Sequence, residues 1–103
     1  MAKYFRALGD PTRLQILELI AAGEQSVGQL VEATGQSQPN ISNHLACLRW
    51  CGFVVARRRG RSIFYSIADG RVLELLGLAS GLLADNASHV ECCRVIDADR
   101  GPQ

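Results

Sequence analysis

The chain predicts a mainly α fold carrying one β-hairpin, and three observations carry that reading. Apolar residues recur with a helical period in three stretches before Gly52. The period switches to two on either side of Arg59-Gly60-Arg61. A leucine-rich helical pattern then resumes after Asp69.

Each element has its own local reason. Asp10-Pro11 opens a helix, with Asp10 as N-cap and Pro11 at the first helical position. Leu14, Leu17 and Ile20, with Ile16 beside them, keep its period to about Ala22, where Gly23 stops it. Ser26 caps a second, shorter helix that turns Val27, Leu30 and Val31 inward and ends at Gly35. Ser37 caps a third, with Pro39 in its first turn, running to a terminal Gly52. Phe53–Arg58 and Ser62–Ile67 are β-prone runs joined as a hairpin. Asp69 caps a last helix whose Val72, Leu73, Leu75, Leu76, Leu78, Leu82 and Leu83 cover more than one face. So apolar a terminal helix on a small domain predicts docking on another subunit. From about Asp85 the pattern gives way to a polar tail. Two short helices joined by Thr34-Gly35-Gln36-Ser37 and followed by a two-stranded wing describe a winged helix-turn-helix. Residues 1–88 form that domain, and 89–103 a C-terminal tail.

With 103 residues the chain makes one small domain, in which a partner chain would add to a modest core. A hydrophobic content of 48% with 20% charged residues excludes disorder as the default state. No apolar run approaches the roughly 20 residues that a membrane helix needs, and no signal peptide opens the chain, so a cytoplasmic location is expected. There Cys47, Cys51, Cys92 and Cys93 are thiols available to a metal or oxidant, not a disulfide framework. The net charge of +1 does not itself suggest nucleic acid, but its distribution does. Arg57, Arg58, Arg59 and Arg61 cluster on the hairpin, whereas Asp85, Glu91, Asp97 and Asp99 gather near the end.

The third helix reads as the one that enters a major groove. Ile41, Leu45 and Leu48 form one narrow apolar stripe, and Asn40, Asn43, His44, Cys47 and Cys51 fall together on what the wheel makes its opposite, exposed side. Gln38, Asn40, Ser42 and Asn43 lie near its N-terminal end, and with the capping Ser37 they are the candidate DNA contacts of this helix; Asn and Gln amides hydrogen-bond bidentately to adenine, and Ser suits several bases. The wing arginines Arg57, Arg58, Arg59 and Arg61 would hold phosphates of double-stranded operator DNA or enter a minor groove.

Three runs carry a family resemblance: A-L-G-D-P-T-R-L-Q-I-L at Ala7–Leu17, Q-P-N-I-S-N-H-L-A-C-L-R at Gln38–Arg49, and R-R-R-G-R-S-I-F-Y-S-I at Arg57–Ile67. Together they resemble the ArsR/SmtB family of bacterial metal-sensing repressors. The resemblance implies a homodimer formed through the first and last helices that releases DNA when a metal binds. It also implies a contact to DNA, or a packing role, for His44.

Family members differ in where the metal sits. The cysteine pair that some carry at the start of the helix before the reading helix is matched here by Ser26-Val27-Gly28-Gln29-Leu30, without a thiol. The Asp and His site of the last helix is matched only by Asp85 and His89. S-N-H-L-A-C-L-R-W-C-G at Ser42–Gly52 instead resembles cadmium- and lead-sensing members, in which two reading-helix cysteines and one from the partner's tail bind the ion. By that resemblance Cys47 and Cys51 are the helix ligands, and Cys92 or Cys93 the tail ligand.

Chemistry points the same way. Thiols at i and i+4 share one helix face about 5–6 Å apart, can share one ion without saturating it, and select soft ions. Cadmium, lead, mercury and arsenite all qualify, and the vicinal Cys92-Cys93 pair suits mercury or arsenite or supplies a fourth ligand. His89 reads as solvated. Three other functions compete: a redox-sensing repressor of the same fold, whose i, i+4 thiols are poorly placed for an unstrained disulfide; a thiol enzyme, for which C-x-x-C, a βαβ pattern and a base are all missing; and an architectural DNA-binding protein with inert cysteines.

Overall fold

Asp10 caps α2 (Pro11–Ala22) as its place before Pro11 predicts, its Oδ1 accepting the Arg13 backbone N–H at 3.0 Å. The Arg13 side chain turns back and donates from Nε to the Ala7 carbonyl at 2.8 Å. That carbonyl belongs to the last turn of a helix the sequence pattern does not announce, α1 (Ala2–Leu8). The D-P-T-R run thus has a mechanical role: it caps one helix and ties it to the end of the previous one.

The computed structural model describes residues 1–91. It separates into two units, the first spanning Met1–Leu73 and the second starting at Glu74. In the first, α2 is followed by a two-residue strand β1 (Gln25–Ser26), α3 (Val27–Thr34), α4 (Gln38–Trp50) and the wing strands β2 (Val54–Arg59) and β3 (Ser62–Ile67). Ser26 and Gln29 close a reciprocal capping box at α3, with bonds of 2.8 and 3.2 Å. Gly35, at φ +74°, ends α3 in the left-handed region that glycine adopts without a Cβ penalty. Ser37 then caps α4 by accepting the Asn40 N–H. Ile16, Leu17, Leu30, Ile41, Leu45, Leu48, Phe53 and Val54 are fully buried and make one core beneath the three central helices and the sheet.

The sheet is antiparallel in the order β1-β3-β2. Its third strand is an addition to the expected hairpin: Gln25 pairs with Tyr65 and Ser26 with Phe64. A strand of two residues is too short to display a period. The hairpin is also tighter than its sequence suggests. Arg59 pairs with Ser62, so Arg59 belongs to β2 and the turn is Gly60-Arg61, with Gly60 at φ +61°.

The last helix, α5 (Gly70–Glu91), starts behind Asp69, whose carboxylate accepts the Arg71 backbone N–H at 2.9 Å and is held at a pKa of about 2 by the bonds from Arg71. It continues to Glu91, past Asp85, where the pattern predicted a polar tail. Asn86 bonds back to the Leu82 carbonyl, one way a polar residue fits a helix interior. In the second unit Leu78, Leu82, Leu83 and Val90 are exposed, and in the first Tyr4 and Phe5 of α1 are exposed. Among the described residues no helix is long and apolar enough to cross a membrane.

The Arg13 N–H bond holds the Asp10 carboxyl below its ordinary value, helped by the positive charge of Arg13 and by His44. A carboxylate depressed in the folded state adds stability above its unfolded pKa and loses it as pH falls through the folded one. Replacing Asp10 by Ala should therefore cost about 1 kcal/mol at neutral pH. The difference should shrink in acid below the ordinary carboxylate range, as urea melts of the two proteins at several pH values will show.

Candidate nucleic-acid interface and thiol pair

Burial of Ile41, Leu45 and Leu48, none more than 1% exposed, fixes which way every other residue of α4 points. Three surfaces result, not the two the helical wheel suggests. The N-terminal half offers Gln38, Ser42 and Asn43, all exposed. One flank carries Ser42, Ala46, Arg49 and the almost bare Trp50, which with Leu45 and Tyr65 of β3 line an open pocket between α4 and the wing. The other flank carries Asn40, His44, Cys47 and Cys51, each half-buried. The cysteines were expected on the exposed side. They sit instead half-buried on a flank, because at about 100° per residue Cys51 points roughly a quarter-turn from the apolar stripe and Cys47 roughly a third of a turn, neither directly opposite it.

Two of the expected base-reading residues have local partners. Asn40 donates from Nδ2 to Gln36 Oε1 at 2.7 Å, and the Ser37 hydroxyl is engaged in capping. Gln38, Ser42 and Asn43 remain open to a partner in front of the helix. His44 is half-buried, close enough for its charge to act on Asp10.

Cys51 is the C-cap of α4, not an interior residue. The Phe53 N–H bonds the Leu48 carbonyl and the Gly52 N–H that of Arg49, at 2.9 and 3.1 Å, with Gly52 at φ +85°. This is the Schellman ending that the terminal glycine predicts. It brings Cys51 over Cys47. Burial pushes the Cys51 thiol up from its ordinary value, and the neighbouring Cys47 thiol pushes it further, while Arg13 and Lys3 pull partly back. Among the described residues no group of three or more His, Cys, Asp or Glu side chains is gathered for a metal ion. Asp85 and His89 are exposed on α5, and Cys92 and Cys93 lie outside the described residues.

The wing divides its arginines. Along β2 side chains alternate, so Arg57 and Arg59 share one face and Arg58 the other, the face of buried Val54 and of Tyr65. Arg57 and Arg59 both reach Glu24, at 3.1 and 2.9 Å, and Arg59 passes over the Phe64 ring at 5.3 Å. Arg58 folds toward the turn and donates to the Gly60 carbonyl, and Arg61 stands exposed in the turn itself. Sequence reasoning overlooked Glu24, which stands as one acid between two helices and acquires meaning only when β1 pairs with β3. It also overlooked Arg49, Trp50 and Tyr65; only the helical period of α4 hinted that the first two share a face with Ser42.

A helix-turn-helix with an exposed, amide-rich reading turn and a cationic wing is a DNA-binding device. Residues 10–55 match the bacterial regulatory protein, arsR family. A probable mercury resistance operon repressor of Streptomyces lividans is 49% identical over 98 residues, covering 95% of this chain and 78% of that protein. The chain belongs to the arsR family. The HTH-type transcriptional regulator CmtR of Mycobacterium tuberculosis is 46% identical over 77 residues, 75% of this chain and 65% of that protein. The solution structure of a homodimeric winged helix-turn-helix DNA-binding domain from Mycobacterium bovis superposes with a TM-score of 0.75 at 39% identity, covering 82% of this chain and 78% of that one. The arsR-family assignment makes this chain a transcriptional repressor with a winged helix-turn-helix, and not an enzyme.

The half-buried Cys51 thiol gives a prediction. At neutral pH Cys51 should alkylate with iodoacetamide more slowly than a cysteine in an unstructured peptide, and its rate should go on rising at pH values where the peptide's has levelled off. Peptide-resolved mass spectrometry of a timed reaction reads both.

Proposed function

We propose that this repressor binds operator DNA as a homodimer and is released by a thiophilic ion held by Cys47 and Cys51 together with Cys92 and Cys93 of the tail. The observation that carries the reading is the Cys47–Cys51 pair: two thiols one helical turn apart at the end of the reading helix. Both are half-buried, and so shielded from bulk water without being sealed in the core.

The donor set fits a soft metal. Thiolates select cadmium, lead, mercury or arsenite over hard cations, and the carbonyl end of a helix favours positive charge. Two sulfurs leave an ion unsaturated, so the tail cysteines complete the set. Mercury heads the candidates, given the likeness to a mercury resistance operon repressor and the vicinal tail pair. When bound, the ion supplies a soft Lewis acid joining these sulfurs. Cys51 must give up its proton to become a ligand, so capture releases protons.

Tying the end of α4 to the tail would bias the helix whose first turn reads DNA. A few kcal/mol of preference for the DNA-incompetent arrangement suffices, and DNA must then weaken ion binding by the same factor. Tyr4 and Phe5 of α1 and the leucines of α5 are the apolar surfaces through which two copies would join.

The test is anisotropy of a labelled duplex enriched from a random library by the reduced protein, titrated with mercury, cadmium, lead, arsenite and zinc. At least one thiophilic ion should weaken DNA binding of the wild type by about tenfold or more, and Cys47→Ser should abolish the response while leaving ion-free binding in place. Wild-type binding that ignores every ion would sink the sensor reading.

A further inference from the structure

Glu24 lies just before β1, only 24% exposed, and takes two guanidinium groups at once: Arg57 Nη2 at 3.1 Å from Oε2 and Arg59 Nη1 at 2.9 Å from Oε1. To reach it, both arginines cross β3 on the face of Phe64, away from the side on which Tyr65 and α4 line the pocket. Neither Arg58 nor Arg61 is in an ion pair among the described residues.

From this we infer that Glu24 is a positioning residue that sorts the wing's four arginines. It withholds Arg57 and Arg59 from DNA as a staple between the β1 edge and β2, and leaves Arg58 and Arg61 as the wing's phosphate contacts. The inference rests on the wing serving as part of the DNA-binding face.

The physical basis is local neutrality. A guanidinium that already faces a carboxylate within hydrogen-bond distance gains less from a phosphate, because the old partner must be given up. Each Lys or Arg that does neutralise a phosphate releases counterions, which adds about 0.9 to the slope of log affinity against log salt. The salt slope therefore counts the arginines in use, whatever the base sequence.

The experiment measures that slope on the library-selected duplex for wild type, Arg58→Ala, Arg61→Ala, the double variant Arg57→Ala/Arg59→Ala, and Glu24→Gln, with thermal melts to confirm folding. Glu18→Gln, an exposed acid of α2, controls for added charge. Arg58→Ala and Arg61→Ala should each lower the slope by about one. The Arg57→Ala/Arg59→Ala variant should keep the wild-type slope and melt at a lower temperature. Glu24→Gln should raise the slope by about one to two, and Glu18→Gln should not. A double variant that loses slope as the Arg58 and Arg61 variants do would overturn the sorting, as would a Glu24→Gln slope equal to that of wild type. If instead no arginine variant and not Glu24→Gln shifts the slope, the wing is not a phosphate-contacting surface at all, and the reading beneath the inference falls with it.

Discussion

The rotation of α4 about its own axis is set by three buried side chains, and the rest of the surface follows from it. Ile41, Leu45 and Leu48 lose all contact with water against α2, α3 and the wing, and interiors packed to this density do not let a helix turn by a residue. That single constraint sends Ser42, Ala46 and Arg49 toward the wing side, and His44, Cys47 and Cys51 to the other flank. The recognition surface and the thiol pair are therefore two flanks of one rigid rod. A force applied to one flank tilts or shifts the other, because no flexible segment lies between them. This is the mechanical reason why a thiol pair at the far end of a reading helix can matter to its first turn.

Much of this arrangement was legible in the chain, and the reasons differ by element. Caps were legible because their chemistry is local: Asp10, Ser26 and Ser37 each satisfy an amide three residues on, and Gly35 and Gly52 each end a helix in a conformation that disfavours a side chain. The burial of Ile41, Leu45 and Leu48 was legible because helical period alone decides it. The position of the cysteines was only half legible. A wheel divides a helix into inside and outside, whereas the two flanks of α4 differ: that of His44, Cys47 and Cys51 is half-buried and that of Ser42, Ala46 and Arg49 is exposed. β1 and α1 were not legible, since one has two residues and the other rests on the Arg13 bond to Ala7 that local pattern does not encode. The fate of the arginines depended on a partner 33 and 35 residues away in sequence, which is a tertiary fact.

The thiol site has a similar split. Residue type and i, i+4 spacing announce the pair without any structure. What the fold adds is the environment. Cys51 closes the helix, lies against Cys47 and is pushed toward its protonated form by burial. A protonated, half-buried thiol resists casual oxidation and binds weakly to hard or borderline cations that cannot displace its proton. On the proposed reading, only a partner with high affinity for sulfur would overcome that cost, so the same burial that makes the cysteine less reactive would make it more discriminating.

Charge on the wing follows a comparable logic. Four arginines on one hairpin of a protein with a net charge of +1 concentrate positive potential where DNA would lie. Phosphate contacts act on any sequence, so each one raises affinity for the whole genome as much as for the operator. A repressor that must find one site and then leave it is served by few such contacts and by several base-edge contacts. Gln38, Ser42 and Asn43 are the groups free to supply the latter. Withholding two arginines on Glu24 shifts the balance between the two kinds of contact without removing the strand that carries them. Specificity is a ratio, and lowering non-specific affinity raises it as surely as adding a base contact does. The same restraint lowers the coupling that an inducer must supply, because a repressor held by fewer phosphates needs less free energy to be released.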